Sequence, residues 1–199
     1  MRATNSDGTL RTLERCKIIT PNGTVDLKIL PDISDSKSAS WASEPIFGRS
    51  SPMVTFSYSD ARTIQTDLHF MITKCTDIKD NLKYLRILQS LVYPGKSTGD
   101  VPFTPPPVSK IICGHLLASQ GDEGKGCTDG VCVIMRNYNV RYPTDVAWDE
   151  NDPNGVSPSY LPYRFTLSCS WEVVYACKDL PTNNMIAKQA LDWCGIVKV

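Results

Sequence analysis

At Cys75 the apolar period of this chain changes from that of a strand to that of a helix, and that change limits what the surrounding residues can build. Upstream, Ile64, Thr66, Leu68, Phe70 and Ile72 alternate with Gln65, Asp67, His69 and Thr73. Period two is the pattern of a strand buried on one face. Downstream, Ile78, Leu82, Leu85, Leu88 and Val92 fall three or four residues apart, which places them on one helical stripe. Thr76 and Asp77 are candidates to cap that helix, and Pro94-Gly95 ends it. Val54, Phe56 and Tyr58 repeat the alternation before Ser59-Asp60, a turn-forming pair. The pattern therefore predicts an antiparallel hairpin over residues 53–73, backed by a helix over 77–93.

Other stretches extend the β reading. Segments 16–20 and 25–30 are two short strands about the turn signal Asn22-Gly23. Residues 31–45 are polar and serine-rich, a loop by composition. Residues 96–107 carry Pro102 and Pro105-Pro106-Pro107, an extended linker. Segment 109–117 is a short apolar strand. The glycine-rich stretch 120–130 is a turn or flexible loop, and Cys132, Ile134, Tyr138, Val140 and Tyr142 share one face of the next strand, with Arg136 as the exception. Residues 143–160 are rich in Pro, Asp and Asn and read as an exposed arm. Tyr163, Phe165, Leu167, Cys169, Trp171, Val173 and Tyr175 alternate in the longest strand, and Met185, Ile186, Gln189, Ala190 and Trp193 suggest a short final helix. The expected fold is mainly β with one packed helix, an antiparallel β-sandwich or split barrel, plus a short C-terminal helix. A flexible arm over 1–12, a β domain over 13–178 and a helical tail over 179–199 are the expected divisions.

Charge and composition remove several function classes. With 21 basic and 21 acidic residues among 199, the chain advertises neither a sequence-specific nucleic-acid partner nor an acidic membrane. No apolar run approaches the length of a membrane span, and the first residues lack the apolar core of a secretory signal. Of the two histidines, His69 falls on the polar side of its strand. His115 lies near Cys113, Cys127 and Cys132, but the spacing does not fit the common zinc modules. No phosphate-binding loop, nucleophile elbow or metalloprotease motif occurs, so neither catalytic residues nor a cofactor or metal is expected.

Eight cysteines are many for a chain without an evident secretory signal. Cys127 and Cys132 flank a turn at Thr128-Asp129-Gly130, and Cys177 and Cys194 flank the final helix. These are the two candidate disulfides; the alternative is that most of the cysteines are buried and unpaired.

Several short motifs, in order, carry a resemblance. Asp32 to Trp41, then Ile46-Phe47-Gly48-Arg49-Ser50-Ser51-Pro52, then Arg62-Thr63-Ile64 leading to Leu68-His69-Phe70, come first. Gly114, Tyr138-Asn139-Val140-Arg141-Tyr142, the Asp-rich turn from Asp149 to Gly155, and Pro162-Tyr163-Arg164 follow. Over roughly residues 16–176 they resemble the N-terminal domain of the baseplate/tail-tube adaptor proteins of contractile-tailed phages and related injection systems, which often add a LysM peptidoglycan-binding repeat. The sequence departs from that pattern by an insertion between Gly155 and Pro162. The 23 residues after Ala176 are also too few for a LysM repeat.

The resemblance implies a structural virion protein with no enzymatic role. Such a subunit would form a ring, with sixfold symmetry, where tail tube meets baseplate, and would be assembled in the host cytoplasm. Its partners would be its own copies, the tail-tube protein, and sheath-initiating and baseplate wedge or hub proteins. Ile33, Lys37, Trp41, Phe47 and Arg49 are the contact residues this picture nominates; Trp41 serves equally well as a core aromatic capping the sheet. A disulfide-stabilised extracellular binding domain is the competing expectation.

Overall fold

A computed structural model of the protein describes residues 16–96, 103–113, 117, 130–149, 161–175, 180–184 and 186. Strands β1 (Lys17–Thr20) and β2 (Gly23–Asp26) form a hairpin in which Thr20 pairs with Gly23 across Pro21-Asn22. Strands β3 (Asp32–Ser36), β4 (Ala39–Glu44), β5 (Met53–Ser59) and β6 (Thr63–Met71) precede helix α1 (Cys75–Ser90). Then come β7 (Gly95–Lys96), β8 (Phe103–Thr104), β9 (Ser109–Ile112), β10 (Val131–Arg141), β11 (Trp148–Asp149), β12 (Leu161–Pro162) and β13 (Arg164–Val173). A seven-stranded sheet runs β2-β1-β9-β10-β13-β6-β3, and three two-stranded ribbons (β4-β5, β7-β8, β11-β12) accompany it. Every pairing is antiparallel. The fold is mainly β with one packed helix, as the sequence leads one to expect.

Chain connectivity shows why this sheet cannot be flat. Strands β2 and β3 lie at opposite edges, yet only residues 27–31 join them. An extended link from Asp26 to Asp32 reaches at most about 21 Å. The edges of a flat seven-stranded sheet would stand about 29 Å apart. The sheet must therefore coil until its edges approach each other, a split barrel. Helix α1 touches both β2 and β6, near the two edges, and so lies across the opening.

One apolar core fills the inside. Antiparallel register sets Phe165 opposite Phe70, Leu167 opposite Leu68 and Trp171 opposite Ile64, and all six are buried. Ile78, Leu85, Leu88 and Leu91 of the helical stretch complete the core, with Leu82 and Val92 packed at its margin. The helix begins at Cys75, slightly earlier than expected, because Asp77 reaches back: its carboxylate accepts from the amides of Thr73 and Lys74.

Four expectations are corrected. The hairpin over 53–73 does not form. β5 pairs with β4, and β6 pairs with β13 and β3, so Val54, Phe56 and Tyr58 are exposed rather than buried. Residues 31–45 are not a loop; they supply β3 and β4, which pair with β6 and β5. On β10 the apolar face switches. Val131, Val133 and Met135 point inward, Cys132 is exposed, and Tyr138 and Val140 pack on the core. The cause is a bulge between Met135 and Asn137, whose extra residue, Arg136, reverses the alternation and pairs with Glu172. Finally, segment 25–30 leaves the sheet after Asp26, because the chain must cross there to reach β3.

Candidate functional site

The pairing of β3 with β6 does not stop where the seven-stranded sheet does. Their ladder passes from Ser36 opposite Thr63, through the bond from the Asp60 amide to the Ser38 carbonyl, to Ala39 opposite Ser59 and on to Glu44 opposite Met53. The result is one long ribbon whose far half, β4-β5, leaves the seven-stranded sheet. Its root is fixed by Arg62, which is 3% exposed. The Arg62 guanidinium donates to the Asp35 carboxylate, with Nε to Oδ1 at 2.8 Å, and the Arg62 backbone carbonyl accepts from the Val173 amide. A buried guanidinium requires such charge-assisted bonds.

The far half carries apolar side chains that nothing in the described structure covers. Trp41 is 59% exposed, Phe56 55% and Val54 55%. Trp41 lies directly opposite Phe56, and their rings meet edge to face at 5.4 Å. Val54 shares the Phe56 side of β5, so the ribbon has an apolar face. At the tip, the Arg49 amide donates to the Ile46 carbonyl at 3.2 Å, closing a turn. Gly48 has φ +83° there, the value a type II turn needs at its third residue. Phe47, the second residue of the turn, is held outward with its whole side chain in solvent.

Of the five nominated contact residues, four are exposed on this ribbon. Lys37 sits at the bend, Trp41 on the apolar face, and Phe47 and Arg49 at the tip. Ile33 instead packs partly against the core from β3. Trp41 is not a core aromatic.

A second feature lies at the other end of β6. An open cavity of about 360 Å³ is bounded by residues 26–29, the end of β6 and α1. Leu27 and Phe70 are buried in it, and Met71 and Ile29 stand exposed around it. Burial, and then the carboxylates of Asp26 and Asp80, raise the pKa of the Tyr84 phenol in its wall. Nearby, Lys28 forms an ion pair with Asp77. That ammonium, aided by the Thr73 hydroxyl, holds the Asp77 carboxyl well below the usual carboxylate range.

The described cysteines follow the sequence expectations only in part. Cys16 and Cys113 form a disulfide, at positions made opposite by the pairing of Lys17 with Ile112. Cys132 is a free, exposed thiol, so the Cys127–Cys132 bridge is not formed; Cys127 itself lies outside the described residues. Cys177 and Cys194 lie outside them too, as do His115 and most of the final helix and of the 143–160 arm. Cys169 is buried as expected, and burial, then Asp67, push its thiol up to about 12. No group of three or more metal-ligating side chains occurs among the described residues. His69 contacts Asp32 at 3.1 Å and Thr166 at 3.4 Å across neighbouring strands of the sheet.

No protein-family model matches the sequence, and no curated protein matches it.

Proposed function

We propose that this chain is a structural assembly subunit of a contractile tail, forming a ring at the junction of tail tube and baseplate. The observation that carries the assembly role is the β4-β5 ribbon. Its backbone is ordered by its own ladder, its tip is set by a glycine-dependent turn, and its aromatic face has no cover among the described residues. Exposed apolar surface of this kind marks a contact surface. Aromatic anchors presented on a stiff scaffold lose little side-chain entropy when they dock. The placement in a tail rests on the motif resemblance, several pieces of which (Trp41, Ile46 to Pro52, Arg62 to Ile64) fall on or at the root of this ribbon.

Electron microscopy of the native particle tests the proposal. The expected result is density for this chain in a closed ring between tube and baseplate, with the ribbon engaged on a neighbour. Particles that lack the chain, or a ribbon left in solvent within them, would overturn it.

The Cys16–Cys113 disulfide favours a second reading, an extracellular binding domain that uses the same ribbon to grip its target. Free Cys16 and Cys113 thiols in freshly purified cytoplasmic protein would remove the ground for that reading.

A further inference from the structure

The ribbon tip and the cavity sit at opposite ends of one element. β6 starts at the ribbon root, at Thr63, and its last residues, with Met71, line the cavity. Nine residues of strand separate the two by about 26 Å, and the ladder carries the tip onward beyond the root. The ring of Phe47 is fully exposed, so it fills no cavity of its own molecule.

Resting on the assembly role proposed above, we infer that Phe47 of one copy seats in the β6-end cavity of a second copy, joining subunits head to tail. Complementarity supports the second copy as occupant. The cavity offers buried Leu27 and Phe70 beneath an exposed apolar border of Ile29 and Met71, chemistry suited to an aromatic ring. The side chain two residues beyond Phe47 is Arg49, and the cavity wall carries the exposed carboxylate of Asp26. Neither forms an ion pair within the described structure. Joining them would pair two solvated charges at the margin of an apolar contact, which sets register more than affinity. Because donor and acceptor are different surfaces, the contact is heterologous. It propagates from copy to copy and closes into a ring if the rotation allows.

The test uses the full chain with a photoreactive benzoylphenylalanine in place of Phe47, mixed with isotopically labelled wild type. Irradiation should link position 47 to peptides containing residues 26–29 or 69–73 of the labelled partner. Links confined to the same chain, to the ribbon of another copy, or to a different protein overturn the contact. In parallel, Phe47→Asp and Met71→Arg, both at exposed positions and checked for native circular dichroism, are followed by sedimentation over a concentration series. Each alone should weaken self-association ~10-fold or more. A 1:1 mixture should recover association but stop at dimers, since one variant keeps the cavity and the other keeps the tip. A mixture that stays monomeric, or wild type that stays monomeric to millimolar concentration, overturns the contact. Association that survives Met71→Arg also overturns it while leaving the ring role intact. A chain missing from the native tail removes the ring role without affecting the cross-link.

Discussion

Single side chains in this protein are held by very different local physics, and three of them give two direct predictions. Asp77 is ionised against Lys28 and accepts from the Thr73 and Lys74 amides, so its charge is worth more folded than unfolded. A depressed carboxyl pKa stabilises at pH values above the ordinary one, about 3.9, and that stabilisation is lost as pH falls below it. Asp77→Asn should therefore lower the melting temperature at pH 7, and the gap from wild type should close as pH drops from ~4 towards ~2. Thermal melts across that range decide it; a gap independent of pH would mean that packing, not charge, is what Asp77 supplies. The thiols of Cys132 and Cys169 provide the second case. Cys132 is exposed, whereas Cys169 is buried with its pKa pushed up to about 12. Iodoacetamide at pH 8 should modify Cys132 in the native protein and Cys169 only after unfolding, as peptide mapping would reveal. The burial of Cys169 was legible because it shares a period-two face with Phe165, Leu167 and Trp171. The exposure of Cys132 was not, because it depends on a bulge at Arg136, which in the sequence shows only as a charged exception on an apolar face.

Elements were legible where one periodic face meets the core and illegible where the partner strand mattered. β6, β13 and α1 were each visible from spacing alone, since burial of a face is a property of one segment. Pairing is a property of two. Val54, Phe56 and Tyr58 alternate as a core strand would, and only the ladder with residues 39–44 reveals that their face looks outward. The serine-rich 31–45 stretch was hidden for the opposite reason: an edge strand and a ribbon half need few apolar residues, so composition disguised both β3 and β4. Two substitutions separate these cases. Leu85, 3% exposed on α1, faces the common core, and Leu85→Asp should cost several kcal/mol and prevent folding, visible as loss of near-ultraviolet dichroism. Val54→Asp changes the same kind of alternating residue on the free ribbon and should leave stability within about 0.5 kcal/mol by urea titration. A Val54→Asp protein that fails to fold would return β5 to the core.

At the scale of the whole molecule, the short 27–31 link does what the strand list cannot: it draws the two sheet edges together and forces a split barrel with α1 across the opening. That curvature also sets which surfaces are available. The tip leaves one end of β6 and the cavity opens at the other, so the same strand that anchors the core separates a donor surface from an acceptor surface. The fold class was readable in the sequence, but this polarity was not, since it depends on where the chain crosses between edges. The disulfide belongs to this scale as well. Cys16 and Cys113 tie β1 to β9 across a sequence separation of 97, and among the described residues β2 joins the sheet only through β1. Cross-linking so long a loop restricts the unfolded chain most, with a typical stabilisation of about 2–5 kcal/mol. For a chain of this length, reduction should lower the melting temperature by roughly 5–15 °C. Calorimetry with and without dithiothreitol measures that shift, and a Cys16→Ala/Cys113→Ala double variant supplies the control. The double variant should melt with the reduced protein and be insensitive to reductant. A double variant that still loses stability on reduction would place the stabilising bridge elsewhere in the chain.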